Sequence, residues 1–230
     1  MIKTILITGT SRGIGKYLAE YYVKNGYAVI GCSRKKQSDT KNYQHFICDI
    51  RDEKDVKTLF RQISKKYNSI DILINNAGIA SMNHSLLTRV STAKNIFNTN
   101  FIGTFLFCRE AAKLMQKNKF GRIINFSTIA VPLSLEGEAI YVASKSAIIS
   151  LTKILSKELS NFGITVNAIG PTPIKTDLIK SIPEKKIKDL LNYQTIKRYG
   201  ELNDISNVID FFISEKSNFI TGQEIYLGGL

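Results

Sequence analysis

Short apolar runs rich in β-branched residues recur along this 230-residue chain, and nearly every one gives way to a stretch with apolar residues at helical spacing. That alternation limits the possible folds more than any other feature. KTILITG (3–9) reads as a buried strand ending in glycine. GIGKYLAEYYVKNG (13–26) follows as a helix that Gly26 would cap. Further strands are expected at YAVIGCS (27–33), YQHFICD (43–49), IDILINNAG (70–78), RIINFS (122–127), ITVNAIG (164–170) and EIYLGG (224–229). Helices are expected at 52–67, about 92–118, 139–161, 176–194 and 203–213. Strands separated by helices pair in parallel and are covered on both faces. The pattern therefore predicts an α/β, doubly wound, Rossmann-type sheet of about seven strands, in one domain spanning 1–230. Ligands of such sheets bind beyond the carboxyl ends of the strands.

Composition narrows the class. The first apolar run is too short for a signal peptide, and no apolar run of membrane-spanning length is read, so a cytoplasmic protein with no membrane partner is expected. Cys32, Cys48 and Cys108 are odd in number and widely spaced, which signals neither disulfides nor a metal site. The formal charge of +13 comes from lysines spread through nearly every segment, without a nucleic-acid motif. No nucleic-acid partner is expected; the field would help an anionic cofactor or an acidic carrier protein to arrive.

TGTSRGIGK joins the first strand to the first helix and carries Gly9, Gly13 and Gly15. Glycines at such a turn let the backbone approach a pyrophosphate, and the free N–H groups of the helix N-terminus stabilise it. The spacing is neither G-x-G-x-x-G nor that of a P-loop, where Ser or Thr would replace Tyr17. At the end of the second strand an acidic residue would bind a free ribose 2′-hydroxyl. Here the run is CSRKK; Arg34, helped by Ser33 and Arg12, would hold a 2′-phosphate by charge-assisted hydrogen bonds. NADPH is therefore the expected cofactor.

Tyr141 and Lys145 stand one helical turn apart, with the hydroxyls of Ser127 and Thr128 upstream. A free tyrosine has a pKa of ~10, and a nearby ammonium favours the phenolate and lowers that value. Such a pair can pass a proton to or from a carbonyl oxygen that a neutral hydroxyl orients. Only one of the two adjacent hydroxyls can face the substrate, because successive strand residues point to opposite faces. His45 and His84 lie in no nucleophile-type motif, so a Ser-His-Asp hydrolase is not indicated.

With TGTSRGIG, NNAG (75–78) and Tyr141-x-x-x-Lys145 in this order, the chain resembles the short-chain dehydrogenase/reductase family over essentially its whole length. Within the family it is most similar to the 3-oxoacyl-acyl-carrier-protein reductases. The resemblance implies that Gly9, Ser11, Arg12, Gly13, Ile14 and Gly15 line the pyrophosphate and adenosine end. It places Asp49, with Ile50, at the adenine, and Asn76, Ala77 and Gly78 at the cofactor ribose. Asn100 matches a catalytic residue whose backbone holds a relay water, Tyr141 the acid, and Lys145 its partner and a ligand of the nicotinamide ribose. Ile174 and Thr176 match the carboxamide contacts.

Counting thirteen residues back from Tyr141, the family's usual spacing, reaches Thr128 rather than Ser127. Thr128 is assigned the orienting role, with Ser127 as the alternative. A further departure is GPTPIKT (170–176), with Thr172 where the family carries glycine. Arg122 matches one of two carrier-docking basic residues; the other match is Phe162. The resemblance also implies a homotetramer. The reading is an NADPH-dependent carbonyl reductase whose substrate includes, as one class, a 3-oxoacyl thioester. The alternatives are a reductase or dehydrogenase for a sugar derivative or secondary metabolite, and a cofactor-binding protein with little turnover.

Overall fold

The structure, a computed structural model, describes residues 2–176, 179 and 184–229. Its centre is a seven-stranded sheet in the order β3-β2-β1-β4-β5-β6-β7. The strands are β1 (Thr4–Thr8), β2 (Ala28–Ser33), β3 (Tyr43–Ile47), β4 (Ile72–Asn75), β5 (Gly121–Phe126), β6 (Ile164–Gly170) and β7 (Glu224–Tyr226). Every pairing is parallel. The order reverses between β1 and β4, and the predicted doubly wound sheet is the observed one.

Period-two alternation builds two cores from the same strands. Ile5 and Ile7 of β1 join Ile72 and Ile74 of β4 against α1 (Gly13–Lys24) and a late helix, Leu202–Ile213. Leu6 and Leu73, one residue out of phase, face the other side. There they meet α2 (Glu53–Tyr67) and the stretch Gly103–Met115. Asp52 starts α2 by accepting from the N–H groups of Lys54 and Asp55. Gly26 follows the end of α1 at φ +83° and donates to Val23 O, the left-handed finish its position suggests.

The helix expected over 92–118 is continuous but not uniform. It runs as α3 (Val90–Phe97), a π-helical turn Asn98–Ile102, α4 (Gly103–Met115) and a short 3-10 turn. A single π turn inside an α-helix is a recurrent mark of functional sites, and Asn100 lies in its middle. After α5 (Ala130–Leu133) comes α6 (Ala139–Glu158), long and apolar enough by length and composition to cross a membrane but broken by Lys145, Lys153 and Lys157, so it is not an uninterrupted apolar run. It packs on β5 and β6. The expected helical region 176–194 falls partly outside the described residues; within them α7 covers Glu184–Tyr193. The helix Leu202–Ile213 is α8. The final strand is shorter than expected because Gly228 and Gly229 turn to positive φ.

Candidate active site

The glycine turn sits at the carboxyl end of β1, held there by the NNAG segment. Asn76 Nδ2 donates to Thr8 O at 2.9 Å, and Ala77 N donates to Thr8 Oγ1 at 2.9 Å. Gly9 takes φ +76°, and a Cβ on it would come within 3.0 Å of Ala77 Cα. A Cβ on buried Gly15 would collide with Gly9 O. These two positions need glycine for packing. Gly13, at φ +57°, faces open space, with only Thr176 as near as 3.9 Å from an added Cβ. Ser11, Arg12 and Gly13 are exposed. No side chain caps α1, and its first turn has no acidic residue. N–H groups without a side-chain cap, an open glycine cradle and a first turn free of acidic residues form a surface suited to a phosphate.

At the end of β2, Arg34 is exposed and makes no hydrogen bond or ion pair among the described residues; its charge reaches the Asp49 carboxyl. Ser33 differs from expectation. Its hydroxyl donates to Lys35 O at 2.8 Å and meets His45 Nε2 at 2.9 Å, so its proton is already used. His45 Nδ1 accepts from Gln37 N, which places the imidazole proton on Nε2 and makes Ser33 Oγ the acceptor of that contact. Asp49 is bound by Arg51, whose side chain and backbone N–H hold its carboxyl below the usual carboxylate range. Ile50 beside it is buried and packs against Gly103.

Beyond β4 and β5 the catalytic candidates converge. Lys145 is buried, and its amine donates to Phe126 O, the last carbonyl of β5, at 2.7 Å. Burial pushes its pKa down to about 8. Asn100 is fully buried: its Oδ1 accepts from Ile79 N and its Nδ2 donates to Ile79 O, both at 2.9 Å, and to Ser144 Oγ at 3.0 Å. Its backbone oxygen accepts from Thr104 Oγ1 at 2.7 Å. Gly78 lies between them: a Cβ there would stand 3.3 Å from Asn100 Oδ1 and 3.5 Å from Lys145 Nζ. Below, Asn75 donates to Asn125, which donates to Thr152, tying α6 to two strand ends.

Tyr141 departs from the simple expectation. Burial raises its pKa to about 12, the Thr128 hydroxyl beside it pulls in the opposite direction, and the charge of Glu138 raises it. The Lys145 amine, one helical turn on, is turned to the β5 carbonyl. In this structure the phenol is thus a protonated group and the amine an easily titrated one.

The two adjacent hydroxyls part as strand geometry requires. Thr128 faces Tyr141 and accepts from Ala130 N at 3.3 Å. Ser127 is buried on the other side, near the Tyr226 phenol, without reaching hydrogen-bond geometry with any partner. Ile174 is buried, and its carbonyl accepts from Thr176 N at 2.6 Å. Thr172 is packed against Gly200, its hydroxyl unpartnered.

Arg122, expected to dock a carrier protein, does not reach the surface. It lies within β5, 3% exposed, against the Phe120 ring and donating to Gly121 O. The parity of a buried central strand decides this, and the position of a basic residue next to a glycine could not.

Sequence reasoning missed a cavity of about 420 Å³ between the segment leading into α6 and α7, lined by Met82, Leu133, Glu138, Pro173 and Leu190 among others. Its only signal was the apolar spacing of the α7 segment. Ser144 was also missed; its hydroxyl links Asn100 to the backbone of Tyr141, to which it donates at 2.7 Å.

Residues 9–229 match the family described as enoyl-(acyl carrier protein) reductase. The 3-oxoacyl-[acyl-carrier-protein] reductase FabG of Staphylococcus aureus (strain Mu50) is 32% identical over 240 residues, covering 100% of this chain and 98% of the relative. The protein of the same name from Buchnera aphidicola subsp. Schizaphis graminum is 35% identical, covering 99% and 96%. Among solved structures, ElxO with NADP bound superposes at a TM-score of 0.91 with 33% identity, covering 99% of this chain and 97% of that one. The aldohexose dehydrogenase of Thermoplasma acidophilum, in ligand-free form, gives 0.90 with 31% identity, covering 100% and 94%.

Proposed function

Because the chain belongs to the short-chain dehydrogenase/reductase family, we propose that it is an NADPH-dependent carbonyl reductase that converts a ketone to a secondary alcohol. The observation that carries this reading is the convergence of the Tyr141 phenol, the Thr128 hydroxyl and the Lys145 amine beyond the ends of β4 and β5.

The uncapped start of α1, with Gly9, Ser11, Gly13, Ile14 and Gly15, would hold the pyrophosphate. Arg34 and Arg12 would hold the 2′-phosphate, without the Ser33 hydroxyl proton. Asp49 and Ile50 would flank the adenine, Asn76 to Gly78 and Lys145 the riboses, and Ile174 and Thr176 the carboxamide. Bound there, the reduced nicotinamide supplies the hydride.

The chain supplies the proton. A phenol at about 12 is protonated at neutral pH, yet it is a far stronger acid than the alcohol being formed, so it can give its proton to the developing alkoxide. The Thr128 hydroxyl, beside the phenol, orients the carbonyl oxygen toward it. Lys145, at about 8, exchanges protons with water near neutrality and can restore the phenol. Asn100, fixed in the π turn by three side-chain hydrogen bonds, keeps the amine's surroundings polar and ordered.

As to substrate, the full-length likeness to reductases of 3-oxoacyl thioesters supports that class, while burial of Arg122 removes one contact expected for its carrier. Exposed Ile102 and Ile154 on the outer helices offer apolar surface for the homotetramer that the family likeness suggests. The test is oxidation of NADPH, followed by absorbance, against acetoacetyl thioesters, sugar ketones and diketones. Turnover that Tyr141→Phe lowers by more than about a hundredfold, with NADPH affinity within a few-fold of wild type, is expected. A Phe variant retaining more than about a tenth of the rate would remove Tyr141 from the acid's role.

A further inference from the structure

The cavity between α7 and the segment leading into α6 has in its wall a carboxyl group that proton transfer does not use. Glu138 is 8% exposed and forms part of the cavity wall. It occupies the N-cap position of α6, where a carboxylate ordinarily folds back onto the helix N–H groups, yet it makes no such bond. No donor among the described residues reaches it; burial pushes its pKa up, and the charge that acts on it is the ammonium of Lys186. Lys186 lines the same cavity from α7, its amine 3.9 Å from where a Cβ on Gly137 would stand, and the two form no ion pair. Glu136 and Asp189 also line the cavity; like Lys186 they are exposed, and of these four charged side chains only Glu138 is buried.

A buried carboxylate without a donor is costly unless something else supplies one. Glu138 stands three residues before Tyr141, at the N-cap of the same helix, and its charge is felt at the phenol. A ketone held at Tyr141 with a further arm in this cavity would bring that arm to Glu138.

We propose that Glu138 and Lys186 form a polar subsite for a neutral hydrogen-bonding group of the substrate, a hydroxyl or an amide. Its proton goes to the Glu138 carboxylate and its oxygen accepts from the Lys186 ammonium. An anionic group would be repelled by Glu138 and a cationic one by Lys186. The apolar remainder of the cavity, including Met82, Leu133 and Leu190, takes a hydrocarbon portion. The substrate class is thus a ketone with a hydroxyl or amide a few bonds from the carbonyl. This rests on the carbonyl-reductase reading only for the identity of the reacting group.

The test compares matched ketones bearing a hydroxyl, an amide, neither, or a carboxylate at the same position. Both kcat/KM with NADPH and Kd by ligand-observed NMR are measured, after an NADPH titration has shown each variant to be folded. The wild-type protein should prefer the hydroxyl or amide ketone to the plain one by about tenfold or more, the scale of one hydrogen bond to a charged group. Glu138→Leu should reduce that ratio to within about threefold, and Glu138→Gln, which keeps an acceptor, should restore most of it. The relative size of the hydroxyl and amide ratios identifies which of the two the subsite takes. A wild-type protein that treats all the neutral ketones alike, a Leu variant that keeps the ratio, or a preference for the carboxylate would each overturn the subsite. Selective binding that Glu138→Leu removes, without turnover of any ketone, would support the subsite and refute the reductase reading.

Discussion

Replacing Thr128 by valine and, separately, Ser127 by alanine separates two hydroxyls that are neighbours in sequence and opposites in space. Thr128→Val is nearly isosteric. It removes the hydroxyl beside the Tyr141 phenol and the acceptor of the 3.3 Å bond from Ala130 N. Loss of that long, half-buried bond should cost stability by no more than about 1 kcal/mol, or ~2–4 °C in Tm for a chain of this size. Loss of one well-placed donor to a developing oxyanion should cost far more in rate, about a hundredfold in kcat/KM, or ~2.7 kcal/mol. Ser127→Ala should behave in the opposite way. Its hydroxyl is buried without a hydrogen-bonded partner, so removing it relieves a desolvation cost of order 1 kcal/mol and should raise Tm by ~2–4 °C, with turnover nearly unchanged. Thr128→Ser keeps the donor and should retain wild-type rate within a few-fold. The assay is NADPH oxidation with one good ketone, alongside thermal melts of the ligand-free variants. A large rate loss in Ser127→Ala with little in Thr128→Val would refute the assignment, and a lowered Tm in Ser127→Ala would refute the account of its burial.

Arg34→Asp should reverse cofactor choice: the wild-type protein is expected to bind NADPH at least about tenfold more tightly than NADH, ~1.4 kcal/mol, and the variant to prefer NADH, both by fluorescence titration. Equal wild-type affinities would deny Arg34 its role. If protonated Lys145 serves the relay, kcat/KM for reduction, which reports the free enzyme, should fall as pH rises through about 8, while the phenol at about 12 contributes no break in that range. The same depression has a sign in stability. Between about 8 and the ordinary 10.5 the unfolded chain binds more protons at this lysine than the folded one, so its contribution to stability rises with pH across that window. Denaturant melts of wild type and Lys145→Met across the window measure it; identical pH slopes would show that the amine is not depressed.

The sequence by itself determined the sheet, because hydrophobic periodicity is local and each buried strand announces itself in four to seven consecutive residues. Ile5, Leu6 and Ile7 are enough to show a strand covered on both faces. It also determined the register of the candidate site: Thr128 and Ser127 must diverge wherever the chain is extended, and Gly9 and Gly15 fit a turn that packs on the strand four segment. What it left undecided depends on atoms distant along the chain. Where the Lys145 amine points is set by a carbonyl nineteen residues away, and burial leaves the Tyr141 phenol raised against the pull of the Thr128 hydroxyl. Whether Ser33 could serve a phosphate was decided by the Lys35 carbonyl, which takes its proton, together with His45 from the next strand, which donates to its oxygen. Arg122 read as a carrier-docking residue until the fold buried its strand and set its guanidinium against the Phe120 ring. The cavity at Glu138 required α7 to lie over the start of α6, and nothing in either segment alone specifies that meeting. Local pattern fixes which way a side chain leaves the backbone; only the assembled fold decides what it meets and therefore which proton it holds.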